Sequence, residues 1–318
     1  MARILLTGAS AFTGLWIAEA LARAGHHVLA PLRRPLSDYS GLRRDRVVRL
    51  AASAQVVFDA PFASPRFMDL MAPGAVDLLA HHAADIPNYR AADYDAIAGM
   101  VRNTDGAREV LAALARAGGQ AVIATGTFFE PGEGGSGPDA LAVSPYGLSK
   151  GLTNLALHHL AAWEGLDFAK FVIPSPFGEM EEGRLGWSLF QAWFAGQPGV
   201  IRTPRYVRDN IPVPLMAGAY ADLAARVLAE PGRLHLARPS GFVGTQGDFA
   251  QRLAREARSR LDLPCQVELL AQSEFAEPEV RVNAQSCITK DWDGPGFWDG
   301  YVQYYRELAA GNRLTSPA

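Results

Sequence analysis

The first thirty residues set an unbroken apolar run beside a helical stripe. Ile4-Leu5-Leu6 is long enough for a strand buried on both faces, and Leu15, Ile17, Ala18, Leu21 and Ala22 recur at helical spacing. His27-Val28-Leu29-Ala30 is a second strand-like run, and Gly25 stands just past the helix, where a C-cap glycine belongs. Between the first strand and the helix lies Thr7-Gly8-Ala9-Ser10-Ala11-Phe12-Thr13-Gly14. Strand, glycine turn, helix and strand in this order make a βαβ unit. Short apolar runs continue to alternate with helical patterns up to about residue 175: Val47-Val48, Gln55 to Phe58, Val76 to Ala80, Ala121 to Ala124 and Phe168 to Ile173. That is the pattern of an α/β protein with a doubly wound parallel sheet.

Beyond Pro174 the pattern becomes irregular, with helical pieces around 186–196, 244–260 and 296–310. The expected organisation is a dinucleotide-binding domain over 1–174 and a smaller α/β substrate lobe over 175–318, some of whose segments return to the core. Pro131-Gly132-Glu133-Gly134-Gly135-Ser136-Gly137-Pro138 is too loose for a packed element and reads as a flexible loop. The chain has no internal repeat.

Composition narrows the function classes. A formal charge of −3 over 318 residues, with no long basic run, speaks against a nucleic-acid partner. Two cysteines, Cys265 and Cys287, are too few for a disulfide framework or a metal site and fit a reducing cytoplasm. No apolar segment approaches the ~20 residues that span a bilayer, so no membrane partner is expected.

Two motifs carry the chemistry. Glycines in the first turn of a βαβ unit let the backbone approach a pyrophosphate at the helix N-terminus, which points to Gly8, Ser10, Ala11, Phe12, Thr13 and Gly14 as cofactor contacts. The spacing is G-x-x-A-x-x-G, with Ala11 where a middle glycine is usual. The second motif is Tyr146-Gly-Leu-Ser-Lys150, which sets a phenol and an ammonium one helical turn apart. The lysine favours the phenolate, so the pair suits proton transfer to or from a substrate oxygen.

With these motifs the chain resembles the extended short-chain dehydrogenase/reductases, the NAD-dependent epimerase/dehydratase family. Leu79-Ala80-His81-His82-Ala83-Ala84 is similar to the family's H-x-A-A after the fourth strand. Asn103, Gly106 and Val110-Leu111-Ala112-Ala113 are similar to its N-x-x-G helix, and Val122 to Thr125 to the fifth strand with its catalytic Ser/Thr. Arg208-Asp209-Asn210-Ile211-Pro212-Val213 resembles the R-D-F-I-H-V segment near nucleotide-sugar phosphates. The resemblance implies a Rossmann-type fold with Thr125, Tyr146 and Lys150 as catalytic residues; Thr127 takes the place of Thr125 if the strand ends later, and is otherwise a substrate contact. It further implies cofactor contacts from His81, Ala83, Asn103 and Pro174, and substrate contacts from Ser175, Arg208 and Arg281. For Asn103 a purely structural helix role stands equally open. For Arg208 the rival is a surface pair with Asp209, and for Arg281 a surface pair with neighbouring glutamates.

The end of the second strand, Leu32-Arg33-Arg34, has two arginines where an acid would bind the adenosine ribose of NAD. A guanidinium binds a 2′-phosphate bidentately, so NADP(H) is expected over NAD(H), with Arg33 and Arg34 as cofactor ligands. The implied substrate is a nucleotide-linked sugar. The Thr125-Gly126-Thr127-Phe128-Phe129 run resembles ketoreductases and favours a 4-ketoreductase, with a 4-epimerase as the alternative and a non-catalytic NADP(H) sensor as a remote one. Dehydration is disfavoured, because no Asp-Glu pair follows Thr125. The family also implies a homodimer built on helices equivalent to 98–117 and 146–163, the second carrying Leu152, Leu155, Ala156, His159 and Leu160.

Overall fold

A computed structural model gives the fold for residues 1–85, 91, 93–135 and 137–314. In chain order the first elements are β1 (Arg3–Leu6), α1 (Phe12–Arg23), β2 (His27–Pro31), α2 (Gly41–Leu50), β3 (Gln55–Val57), α3 (Pro65–Met68), β4 (Leu78–His81), α4 (Ala96–Thr104), α5 (Ala107–Arg116), β5 (Ala121–Thr127), α6 (Pro145–Trp163) and β6 (Asp167–Ile173). There follow β7 (Ser175–Phe177), α7 (Leu185–Phe194), β8 (Gly199–Ile201), β9 (Val207–Pro212), α8 (Val213–Ala229), β10 (His235–Ala237), β11 (Pro239–Ser240) and β12 (Phe242–Thr245). The last are α9 (Gln246–Arg258), β13 (Val267–Leu269), β14 (Val280–Arg281), β15 (Gln285–Ser286) and α10 (Gly294–Ala310).

Met1–Ile173 and Met216–Arg238 form one compact unit. Its seven strands run in the order β10-β6-β5-β4-β1-β2-β3, with every pairing parallel. A parallel sheet is covered on both faces, which is why its strands read as continuous apolar runs. Leu79 and Val122 pack with Val110, Leu111 and Leu114 of α5 and with Leu157 and Ala161 of α6. The chain winds outward from β1 to β3 and then crosses to β4 on the other side of β1. The strand order thus reverses between β1 and β4, where open α/β sheets leave a crevice at the carboxyl ends of their strands.

Several sequence-based expectations change here. Val47-Val48 lies within α2, where Leu42, Arg46, Val47 and Leu50 are buried at helical spacing, so it is not a strand. The expected helix 98–117 is two helices, α4 and α5. The break is at Gly106, whose φ of 70° is left-handed and whose added Cβ would lie 2.2 Å from the Cβ of Ala63. β5 continues two residues past Thr125, to Thr127. The glycine-rich stretch after it is anchored: Glu133 is buried and pairs with Lys170 at 2.9 Å and Arg238 at 2.5 Å. Ser136 in that stretch lies outside the described residues.

Pro174–Leu215 and Pro239–Ala318 form the second unit. Its β9 pairs antiparallel with β12 and parallel with both β7 and β14. Phe177, Phe190, Trp298, Tyr301 and Tyr305 form an aromatic cluster, and the hydroxyls of Tyr301 and Tyr305 both donate to the buried Glu181 carboxylate. Burial raises the Glu181 carboxyl above its ordinary range. Among the described residues no helix is long and apolar enough to cross a membrane.

Candidate active site

The turn after β1 is built for close backbone approach. Gly8 has φ 73°, and a Cβ there would come within 2.8 Å of the Ala83 nitrogen. A Cβ at Gly14 would come within 2.2 Å of the Gly8 carbonyl oxygen, so only glycine lets α1 settle against the strand. Ala11 needs no such freedom. It sits at φ −75°, open to any L-residue, and its N–H closes the turn on the Gly8 carbonyl at 3.0 Å. No side chain caps α1 at Ala11. The helix therefore opens on Phe12, Thr13 and Gly14, the arrangement that receives an anionic phosphate. The residues present fit a dinucleotide, and Gly8 to Gly14 would hold its pyrophosphate.

The end of β4 is tied across this turn. Thr7 Oγ1 accepts from the N–H groups of His82 (3.1 Å) and Ala83 (3.0 Å), fixing the strand end beside Gly8. The two histidines then part company. His81 is buried against Phe62 and lies near the Thr7 hydroxyl, while the half-buried His82 ring lies between Thr13 and Thr125. Burial first, and the Lys150 ammonium second, push both imidazoles down to about 3, so both are neutral at physiological pH. The buried Tyr220 sits near Thr125, though short of a hydrogen bond to it.

Tyr146 and Lys150 lie in the first turns of α6. Ser144 caps that helix by accepting from the Gly147 N–H at 3.2 Å, with Pro145 in the first turn, where its missing N–H costs nothing. Tyr146 packs edge-on against Phe129, ring centroids 6.1 Å apart. Lys150 is buried, and burial lowers its ammonium pKa, with the Glu130 carboxylate opposing that shift. Glu130 escaped the sequence reading. It is buried, accepts from the Thr127 N–H (2.7 Å) and Asn154 Nδ2 (3.0 Å), and pairs with Lys170 (2.7 Å). One carboxylate thus ties the end of β5 to α6 and β6. Gly126 packs against it, since a Cβ there would lie 2.6 Å from Glu130 Oε1. No sequence pattern marks this role; an acid next to a glycine-rich stretch reads as solvated.

Thr125 and Thr127 share one face of β5, and both are buried. Although the strand runs on to Thr127, whose N–H is tied to Glu130, it is the Thr125 hydroxyl that lies beside the His82 ring, at 3.1 Å, and this favours Thr125 as the candidate. Asn103 spends its amide on backbone: Nδ2 donates to Gly99 O (2.8 Å) and Asp85 O (3.2 Å), and Oδ1 accepts from the Asp85 N–H (2.6 Å). The structural role left open for it is therefore real, because it anchors the segment after β4. Arg33 and Arg34 are exposed just beyond β2, with Arg33 3.9 Å from Asp85.

Pro174, Ser175, Arg208 and Arg281 belong to the second unit. Ser175 pairs in register with Asn210 of β9. The rival pair of Arg208 with Asp209 is not what the structure contains, whereas the rival pairing of Arg281 with a neighbouring glutamate is present, with Arg281 buried. Arg208 is buried and bonds Glu277 at 2.8 Å rather than Asp209, and the buried Arg281 bonds the same glutamate at 2.8 Å. Asp209 instead accepts from the N–H groups of Gly241 (2.7 Å) and Asn283 (3.1 Å).

A parallel sheet with this crossover, a glycine turn at its switch point and a tyrosine–lysine helix beside it define a dinucleotide-binding α/β protein. The family model of the NAD-dependent epimerase/dehydratase family matches residues 4–193, and the chain belongs to that family. No curated protein matches the sequence. Among solved structures, the chain resembles a UDP-N-acetylglucosamine 4-epimerase from Methanobrevibacter ruminantium in complex with UDP-N-acetylmuramic acid. Identity is 16%, the TM-score 0.73, and the match covers 96% of this chain and 99% of the other. A UDP-glucose 4-epimerase from Stenotrophomonas maltophila with bound NAD and formylated UDP-arabinopyranose is 18% identical, with TM-score 0.73 over 98% and 100% of the two chains. A UDP-glucuronic acid 4-epimerase from Bacillus cereus is 14% identical, with TM-score 0.70 over 96% and 99%. At these identities the likeness is one of fold.

Proposed function

We propose that the chain is an NAD(P)-dependent oxidoreductase acting on a nucleotide-linked sugar. The observation that carries the reading is the set of Thr125, Tyr146 and Lys150 on β5 and α6, next to a glycine turn fitted to a dinucleotide. Tyr146 moves the proton of the sugar hydroxyl, and Thr125 hydrogen-bonds the reacting oxygen. Lys150 supplies the positive charge that favours the phenolate. The bound nicotinamide supplies the hydride acceptor or donor. Gly8 to Gly14, His81, Ala83 and Pro174 are the proposed cofactor contacts; Thr127, Ser175, Arg208 and Arg281 are the proposed substrate contacts.

For the reaction itself, we place a 4-epimerase ahead of the 4-ketoreductase favoured by the sequence around Thr127. The three structural neighbours described above are all 4-epimerases, and two of them carry NAD in their structures. The ketoreductase reading keeps the support of Thr125-Gly126-Thr127-Phe128-Phe129, and Arg33 with Arg34 supports NADP(H) over NAD(H). The intact tyrosine–lysine pair argues against a cofactor sensor. A panel of nucleotide sugars, followed by NAD(P)H absorbance and by chromatography or NMR that resolves the C4 epimers, separates the three. An epimerase interconverts sugars without net cofactor consumption, a reductase consumes NAD(P)H stoichiometrically, and a sensor does neither.

A further inference from the structure

We propose that His82 is a positioning residue that aims the hydroxyl of Thr125 at the reacting oxygen and couples it to the first turn of α1 through Thr13. The inference rests on the reading of Thr125 as the group that meets the substrate oxygen. His82 Nδ1 lies 3.1 Å from Thr125 Oγ1, and His82 Nε2 lies 2.9 Å from Thr13 Oγ1. The ring therefore spans from the helix end that faces the cofactor phosphates to the hydroxyl that faces the chemistry. Its backbone is fixed as well, by the Thr7 hydroxyl and by Ala83 packed on Gly8. An imidazole held at both ring nitrogens and at its main chain keeps one orientation.

The hydrogen-bond directions follow from donor counting. Burial and the nearby Lys150 ammonium keep the ring neutral, so one nitrogen donates and the other accepts. A threonine has a single O–H donor. If Thr125 gives that hydrogen to the substrate oxygen, it must accept from His82, and the proton sits on Nδ1. Nε2 then accepts from the Thr13 hydroxyl. The opposite tautomer spends the Thr125 hydrogen on the ring and leaves none for the substrate. The bond made at one ring nitrogen sets the state of the other, so the turn that holds the cofactor also sets the polarity of Thr125.

Long-range proton–nitrogen NMR of the 15N-labelled protein at pH 7, without substrate, reads the tautomer directly. The expected result is a neutral His82 protonated at Nδ1; a proton on Nε2, or a charged ring, overturns the proposal. The kinetic arm uses UDP-glucose as probe, with conversion to its 4-epimer followed by chromatography or NMR and NADH affinity followed by fluorescence. His82→Leu should slow the reaction by about tenfold to hundredfold, the scale of a misaligned reacting group. KM and NADH affinity should stay within about twofold. His82→Gln, whose amide offers one donor and one acceptor, should recover most of the rate. An unimpaired His82→Leu, or a His82→Gln as slow as His82→Leu, also overturns the proposal. If the wild type does not turn over UDP-glucose or any other nucleotide sugar, the functional reading fails and the role of Thr125 with it, and the tautomer measurement then decides only the direction of the His82–Thr125 hydrogen bond.

Discussion

Arg208 and Arg281 lie side by side in the β9–β14 register and share a single counter-ion, the carboxylate of Glu277, at 2.8 Å from each. Arg208 also donates from Nη1 to the carbonyls of Val207 (2.8 Å) and Glu279 (2.9 Å), and its guanidinium stacks on Tyr206, 4.2 Å from the ring centroid. The arginine is thus part of the packing of β9 against the 277–281 segment. From sequence alone, Arg208→Ala should leave the melting temperature unchanged. The structure predicts otherwise. Removing the Arg208 guanidinium leaves Glu277 paired with Arg281 but takes a donor from the Val207 and Glu279 carbonyls, a loss of about 1–3 kcal/mol. Arg208→Ala is expected to melt several degrees lower, in addition to any loss of substrate affinity. An unchanged melting temperature would show that the hydrogen bonds of Arg208 contribute nothing to stability.

The same pair gives a pH dependence. Arg281 and Arg208 together hold the Glu277 carboxyl below its ordinary range despite its burial. A depressed folded-state pKa adds stability that is present above the unfolded value, near ~4.3. It is lost as pH falls through the folded value. Glu277→Gln should therefore narrow its stability gap to the wild type as pH is lowered from 7 to 3, measured by denaturant unfolding. A gap constant across that range would rule out the linkage.

The parts of the fold that the sequence carried were those where one physical cause acts locally. Buried parallel strands must be apolar on both faces, so β1, β4, β5 and β6 stood out as runs. Gly8 and Gly14 stood out because their Cβ atoms would strike backbone. What stayed hidden depends on distant partners. Glu130 and Glu133 became buried only because Lys170 of β6 and Arg238 beyond β10 arrive to pair with them. Val47-Val48 looked like a strand because a two-residue apolar run carries no period, and its helical spacing needed Leu42 and Leu50 to be seen. His82 was legible only as a residue beside His81. Its contacts with Thr13 and Thr125 come from elements 69 and 43 residues away.

Cofactor choice rests on Arg33 and Arg34, both exposed beyond β2. A charge-assisted hydrogen bond contributes about 1.5–3 kcal/mol, or roughly tenfold to hundredfold in affinity. Replacing both arginines with alanine should weaken NADPH binding by about that factor and leave NADH nearly unchanged, read by fluorescence titration. Equal losses for both cofactors would mean that the pair does not contact the 2′-phosphate.

Self-association is expected through α4 and α6. Ile97 and Val101 of α4 are 58% and 56% exposed, and Leu155 and Trp163 of α6 are 66% and 72% exposed. Leu157 and Ala161 turn the other way, into the core, so the outward apolar face of α6 is surplus to monomer packing. Leu155→Glu with Trp163→Glu should give a monomer by light scattering with an unchanged circular dichroism spectrum. A wild type that is already monomeric at micromolar concentration would remove the basis for a homodimer.

The sharpest test of the proposed chemistry is at Tyr146 and Lys150. Tyr146→Phe deletes one oxygen and keeps the ring contact with Phe129, so the fold and NAD(P)H binding should survive. General acid–base groups supply about 10²–10⁴ in rate, and kcat should fall by at least that range. Lys150 adds a direction in pH. Its charged form is the one that favours the phenolate, and burial lowers its pKa from the ordinary lysine value near ~10.4. As pH rises the ammonium loses its proton earlier than an exposed lysine would, so kcat should decline on an alkaline limb below that value. Glu130 opposes the shift, and Glu130→Gln should move the limb to still lower pH if the variant folds with Thr127 and Asn154 in place. Tyr146→Phe with substantial residual activity would assign the proton to another group. An alkaline limb that Glu130→Gln leaves in place would separate that limb from Lys150.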